Sequence, residues 1–394
     1  MRTVTLRPGK SKPVWMGHPW VFADSIESVT DGEGDFVRVI DSRGELVGRG
    51  LLSEASAIRV RLLARGEGDE SDEVLLTARI RAAVALRRRL FPAAARTDAY
   101  RLIHGEGDGV PGLVVDRFGS VLVAQFATRP MAARRDMLAR LLLSETGASS
   151  LLSRAGGKEE EEAIDLASVP FTAGAAAPET VEIREEGMRL VVDLRRGQKT
   201  GHYADQRENR GLVAEISAGS RVLDLHAGTG GFSIRALLAG ATSCVAVDSS
   251  GAALLAARTN AEANGVAGRL EAVEADALEH LDALSKTKTT FDVVIVDPPK
   301  LAASRLGVPK ALDLYKRLNV RALVRTEPLG FLATFSCSGL VSVEAFAQML
   351  DAAARECRRR IVVLRTLSAG PDHPVDAGCP EGRYLTGMLL RVTS

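Results

Sequence analysis

The chain has 394 residues, 46% of them hydrophobic, enough for two or three domains that each bury a core, and its net charge of +1 excludes a protein that is basic all over. Cys244, Cys337, Cys357 and Cys379 are scattered without a CxxC pair or a histidine at ligand spacing, which argues against a disulfide framework or a metal site. No run of about 18 apolar residues occurs and the N-terminal segment has no signal-peptide core, so a soluble, cytoplasmic protein without membrane attachment is expected.

Residues 1–70 alternate short apolar runs (3–6, 36–40, 46–48, 57–63) with turn signals such as Asp31-Gly32, which predicts a small β-barrel. Both tryptophans, Trp15 and Trp20, lie here, and HPWVF at 18–22 reads as barrel core. Lys10, Lys12 and His18 are candidates for an RNA-facing rim. A helix is predicted over 72–90, with Val74, Leu75, Ile80, Ala83, Val84 and Leu86 on its apolar face and Arg87, Arg88 and Arg89 as a solvated basic cap. Residues 101–116 read as two strands around a glycine-rich turn, within a central α/β domain at 71–180. The acidic and alanine-rich stretch 156–180 reads as an exposed hinge before a third domain at 181–394.

In that third domain a strand is expected at 188–194, followed by the polar stretch GQKTGHYADQRENR at 197–210. Its donors and acids, among them Lys199, Thr200, Tyr203, Asp205 and Gln206, are placed to cover one end of a cofactor; the plainer reading is a capped helix start with an exposed charged face. RVLDLHAGTGGFS at 221–233 reads as a buried strand, a turn through Gly228, Gly230 and Gly231, and a helix. Such a turn lets a ligand approach the main chain near the positive end of a helix dipole. A pyrophosphate would not favour the carboxylate of Asp224 in the strand, whereas a cationic ligand group would. Asp248, ending the next apolar run, stands near the spacing at which a carboxylate takes ribose hydroxyls. S-adenosylmethionine joins an adenosine to a cationic amino-acid end and satisfies both.

From residue 222 onward strands and amphipathic helices alternate, giving seven strands in a doubly wound, mostly parallel sheet. Ligands of such sheets collect at the carboxyl ends of the strands, where Asp224, Asp248, Asp276, Asp297 and Cys337 fall. Asp297-Pro298-Pro299-Lys300 resembles motifs of enzymes that methylate planar nitrogen, and alone it favours a nucleobase amine as target. Cys337, in SCSG at 336–339, shifts the reading toward pyrimidine carbon 5, which becomes nucleophilic once a thiolate adds to carbon 6. The base that then removes the carbon-5 proton is open among Asp297, Lys300 and the Asp372-His373 pair. A non-catalytic RNA-binding protein and a nicotinamide oxidoreductase are the remaining alternatives.

The motifs HPWVF, GEGDGVPGLVVDRFG at 105–119, GQKTGHYADQRENR, DLHAGTGGFS at 224–233, DPPK, SCSG, DHPV at 372–375 and EGRYLTG at 381–387 together resemble the RlmI-like methyltransferases nearly end to end. The resemblance implies an N-terminal PUA-like RNA-binding barrel, a small central α/β domain and a C-terminal Rossmann-like methyltransferase domain. It implies methylation of carbon 5 of a cytosine in large-subunit ribosomal RNA, with S-adenosylmethionine as donor, S-adenosylhomocysteine as product, and a homodimer. Cys337 would be the nucleophile, with Asp297 and Lys300 beside it. Asp224, Gly228 and Gly230 would hold the methionine part, Asp248 the ribose and Asp276 the adenine amine, with His226 and Pro298 also among the cofactor-binding residues.

Overall fold

A computed structural model of the chain describes residues 1–92, 96–157, 159–165, 169–195 and 200–393. It resolves into two compact units, one of residues 1–184, 192–202 and 371–382, the other of residues 185–191, 203–370 and 383–394.

The N-terminal unit opens with a six-stranded sheet in the spatial order Trp20–Phe22, Ile58–Ala64, Leu46–Leu52, Phe36–Ile40, Arg2–Leu6 and Ile26–Val29. Val4, Leu6, Val37, Val39, Val47 and Val60 fill its core. The expectation that Trp20 and Phe22 belong to that core is corrected. In the strand Trp20–Phe22 the inward side chain is Val21, at 1% exposure, while Phe22 is 43% exposed and Trp20 is half-buried. Alternation along a strand allows only one of the two sets inside. The Trp20 indole instead donates to Glu106 at 2.9 Å.

The same unit holds a second, five-stranded sheet in the order Thr172–Gly174, Ser150–Ser153, Val121–Phe126, Leu113–Phe118 and Ala99–His104. The helix Asp72–Leu90 packs on it, N-capped by Ser71, whose hydroxyl accepts the Val74 amide. Its buried face is Leu76, Ile80, Ala83, Val84 and Arg87; Val74 and Leu86, expected inside, are exposed. The solvated basic cap is corrected as well. Arg87 is fully buried, forked onto the carboxylate of Asp108 at 2.5 and 2.8 Å, and donates to the carbonyls of Arg101 and Asp372. The acidic hinge is corrected in part: Glu159 and Glu162 are buried, and Glu162 accepts from Ser53 at 2.5 Å and Arg61 at 3.0 Å.

The C-terminal unit is built on seven strands: β1 (Arg221–Leu225), β2 (Ser243–Asp248), β3 (Leu270–Glu274), β4 (Phe291–Val296), β5 (Thr326–Ser336), β6 (Ile361–Leu367) and β7 (Thr386–Val392). Their order is β3-β2-β1-β4-β5-β7-β6, parallel through β5 and antiparallel for the last two pairings. This is the doubly wound, mostly parallel α/β sheet expected. The runs RVLDL and FDVVIV are buried on both faces, as central parallel strands require. Five helices follow the first strands: α1 (Gly231–Leu238), α2 (Gly251–Ala263), α3 (Ala277–Thr287), α4 (Val308–Arg325) and α5 (Val343–Glu356).

Helix α5 shows how the sequence determines the packing. Phe346, Met349, Leu350, Ala353 and Ala354 recur at helical spacing and are buried, and the Ser342 side chain caps the first turn by accepting the Ala345 amide. Each of the larger side chains contributes roughly 1.5–3 kcal/mol by leaving water. They join a core with Leu281 of α3, Tyr315 of α4 and Val294 of β4. Where β7 meets β5, Gly387 lies opposite Phe335, and a Cβ there would stand 2.4 Å from the ring. Any side chain at 387 would push the two strands apart.

The order reverses between β1 and β4, which share a register with Asp224 opposite Ile295 and Leu225 opposite Val296. A crevice opens at such a reversal, at the carboxyl ends of the strands. Among the described residues, no helix is long and apolar enough to cross a membrane.

Candidate active site

The glycine turn after β1 is held by two acids. Asp224 is fully buried; its Oδ2 accepts the amide of Ser233 at 3.1 Å and its hydroxyl at 2.6 Å, tying the start of α1 back to β1. Burial pushes its pKa up to about 7, against the pull of the two Ser233 hydrogen bonds. Its other oxygen, Oδ1, is buried without a hydrogen-bond partner. Asp248, at the end of β2, accepts the Gly228 amide at 2.9 Å through Oδ2 and the Ser250 amide at 2.9 Å through Oδ1.

Between these two anchors the backbone takes conformations that side chains disfavour. Gly228 and Gly230 have φ of 54° and 84°, and at Gly230 a Cβ would meet that of Ala257 at 3.0 Å. His226 has φ of 62° although it carries a side chain. Burial holds its imidazole pKa below the usual value, and its Nε2 is buried without a partner. Orphaned polar atoms beside a glycine turn are what a bound donor with a charged, hydrogen-bonding end would satisfy, so these residues fit S-adenosylmethionine. Asp276 follows β3, is exposed, and caps α3 by accepting the amides of Leu278 at 2.8 Å and Glu279 at 3.2 Å.

Asp297 leaves β4, with its amide donating to Leu225 O at 3.3 Å, and is half-buried; Pro298 is buried and Lys300 is exposed. Cys337, at the end of β5, is part-buried, and its thiol donates to the carbonyl of Pro298 at 3.7 Å. Burial pushes the thiols of Cys244, Cys357 and Cys379 upward, Cys379 to about 12. That leaves them poor nucleophiles.

Tyr203 brings several of these groups to one place. Its phenol is pushed up to about 12 by burial and then by the nearby charges of Asp205, Asp297, Cys337 and Asp248. The stretch that presents it is not the exposed charged face of the plainer reading. Arg207, Asn209 and Arg210 of the helix Arg207–Glu215 are buried. Arg210 forks onto Glu185 at 2.7 and 2.5 Å and donates to Tyr203 O at 3.0 Å. Gln206 is buried and accepts Asn209 Nδ2 at 2.6 Å. Thr200 belongs to the N-terminal unit, where its hydroxyl donates to Asp116 at 2.5 Å. Lys199 lies outside the described residues.

Four residues escaped the sequence reading. Tyr384 donates to Asp205 Oδ2 at 2.7 Å. Ser336, Ser338 and Tyr315 form a buried hydroxyl group around Cys337, with Ser338 Oγ accepting the amides of Leu301 at 3.1 Å and Ala302 at 3.0 Å. The serines flank the cysteine in sequence and were available as a signal; Tyr315, on α4, had none.

Of the candidate bases, Asp372 and His373 belong to the N-terminal unit. There the buried Asp372 carboxylate accepts the Arg101 amide at 2.9 Å and lies 3.2 Å from His373 Nδ1. His18, Cys379 and Glu381 bring three ligand-type atoms within 4.8 Å of one another. Yet His18 Nδ1 accepts the Trp20 amide at 3.1 Å, so Nε2 carries the proton toward Glu381 and has no lone pair for a cation.

Sheet order, glycine turn and acid-lined strand ends define a Rossmann-like methyltransferase. Residues 100–378 match the S-adenosylmethionine-dependent methyltransferase family and residues 4–65 a PUA-like domain. The chain belongs to this family of S-adenosylmethionine-dependent methyltransferases, and S-adenosylmethionine is its cofactor. It is 34% identical over 394 residues, covering 99% of both chains, to the protein of Citrobacter koseri named ribosomal RNA large subunit methyltransferase I. To the protein of the same name in Cronobacter sakazakii it is 33% identical over 393 residues, again 99% of each. A solved methyltransferase complexed with SAH shares the fold, with a TM-score of 0.87 at 19% identity over 100% of both chains.

Proposed function

We propose that this enzyme methylates carbon 5 of a cytosine in large-subunit ribosomal RNA, in the cytoplasm, through a transient covalent bond to Cys337. The ribosomal substrate is suggested by the relatives' names. In this reading residues 1–70 grip RNA, residues 71–180 form the central domain and residues 181–394 carry out the transfer, as a homodimer. The observation that carries the chemistry is the contrast among the cysteines. Cys337 alone of the four directly follows a strand of the C-terminal sheet and lies against the DPPK backbone, its thiol 3.7 Å from the Pro298 carbonyl.

When bound, S-adenosylmethionine supplies an electrophilic methyl group. Asp224, through the turn it braces, and His226 would hold its methionine end, Asp248 the ribose and Asp276 the adenine, with Tyr203, Asp205, Gln206 and Pro298 closing the pocket. The Cys337 thiolate adds to carbon 6 of the cytosine, and the electron pair displaced onto carbon 5 takes the methyl group. Asp297 then accepts the carbon-5 proton; the returning electrons restore the ring and expel the thiolate. Asp297 is favoured as base because it shares the Tyr203 neighbourhood with Cys337, while Lys300 is exposed and in this reading meets RNA phosphate.

A second reading, methylation of a nucleobase amine, draws on Asp297-Pro298-Pro299 at the strand end and has no use for the thiol. Mass mapping of rRNA from a deletion strain complemented with wild type or Cys337→Ala separates the two. Loss of one methylcytidine with the variant supports the adduct chemistry; full methylation with it leaves only the amine reading.

A further inference from the structure

We infer that Tyr315 and Ser338 are positioning residues for methyl transfer: a buried hydroxyl clamp that fixes the sulfur of Cys337 against the DPPK segment. The inference rests on the nucleophile reading above and names the residues that would make that sulfur effective.

Residue 337 follows the last residue of β5 and residues 297–302 follow β4, so both are loop residues by topology. Loop backbone at a site needs fixing from outside the sheet. Ser338 Oγ does so by accepting two amides from the other loop, Leu301 N at 3.1 Å and Ala302 N at 3.0 Å. With both lone pairs used, its own proton points to Tyr315 Oη, 3.2 Å away. Tyr315 Oη also accepts Ser336 Oγ at 2.9 Å, and Ser336 Oγ accepts the Ser338 amide at 3.3 Å. The three hydroxyls thus bond on either side of Cys337 in the chain, and all three side chains are buried. Tyr315 is itself fixed by edge-on contact with Phe346, ring centroids 5.8 Å apart.

The result is a short connection from helix α4 to both loops. The Cys337 sulfur and the Pro298 carbonyl, 3.7 Å apart, lie on the two segments that it joins. A nucleophile must reach carbon 6 while carbon 5 faces the methyl group, and a misplacement of about 1 Å at such a site costs on the order of a hundredfold in rate. A hydroxyl network serves this purpose better than apolar packing because its bonds specify direction as well as distance.

The test uses the full-length enzyme, RNA containing 5-fluorocytosine and four variants: Tyr315→Phe, Ser338→Ala, Ser338→Thr and Cys337→Ala. Wild type should form the covalent complex and Cys337→Ala should not. Tyr315→Phe, which keeps the ring, and Ser338→Ala should bind S-adenosylhomocysteine within about threefold of wild type but form the complex at least about tenfold more slowly. Ser338→Thr, which keeps the accepting oxygen, should recover most of the rate. Complex formation at the wild-type rate by both Tyr315→Phe and Ser338→Ala would overturn the clamp. If wild type itself gives no complex, the nucleophile reading falls, and the clamp is judged by the iodoacetamide alkylation rate of Cys337. Altered alkylation in Tyr315→Phe and Ser338→Ala then upholds it, and equal rates in all three proteins refute it.

Discussion

Arg87 lies fully buried against Asp108, the two side chains forked together at 2.5 and 2.8 Å inside the N-terminal unit. Removing one member of such a pair strands the other charge in the interior. Arg87→Ala is expected to destabilise the fold by roughly 3–5 kcal/mol, while the double replacement Arg87→Met with Asp108→Leu should cost much less. Urea denaturation of the three proteins checks this, and equal losses would contradict it.

Asp224 makes stability depend on pH with a definite sign. Its folded pKa of about 7 lies above the ordinary value of 3.8, so the folded state holds the proton more tightly than the unfolded chain. The contribution is complete below about pH 3.8 and is lost as pH rises through about 7. Wild-type Tm should therefore fall between about pH 4 and 7 more steeply than that of Asp224→Asn. Parallel Tm curves for the two proteins across that range would show that Asp224 does not titrate there.

Release of the methylated RNA from Cys337 should be separable from methyl transfer. Asp297→Asn keeps the strand end in place but cannot take a proton, so the enzyme should accumulate a methylated RNA adduct on Cys337 while turnover falls by about a hundredfold or more. Mass spectrometry of the gel-shifted complex reads the added methyl. Lys300→Ala should instead raise KM for RNA with kcat nearly unchanged.

The glycine turn tolerates little. At Gly230, with φ of 84° and a would-be Cβ 3.0 Å from that of Ala257, alanine should cost about 1–2 kcal/mol of stability. It should also weaken S-adenosylhomocysteine binding about tenfold by calorimetry. Alanine at the exposed Gly34, whose φ of 85° is similar but whose surroundings are open, should affect stability alone.

The C-terminal sheet was legible because period and motif agree there. Continuous apolar runs gave its central strands, helical spacing gave α2 and α5, and the acids at 224, 248, 276 and 297 are near the ends of successive strands. The reading failed where one side chain's environment depends on a distant segment. Arg87 looks like any arginine in a helix's last turn until Asp108 folds beneath it, and Glu162 looks solvated until Arg61 and Ser53 meet it. Phe22 was placed inside by its hydrophobicity, against the alternation that turns Val21 inward. Tyr315 carries no local mark of its bond to Ser336, twenty-one positions away, because hydroxyl partners leave no periodic trace.

Strand β7, residues 386–392, lies between β5 and β6, which both precede it in the chain. As the polypeptide leaves the ribosome, β5 and β6 emerge with the slot between them vacant, exposing the flank of Phe335 until Gly387 and its neighbours arrive. Folding of this half must therefore wait until residues 386–392 have been made, and a ribosome stalled short of residue 386 would hold a nascent chain with an open, sticky sheet for chaperones to shield.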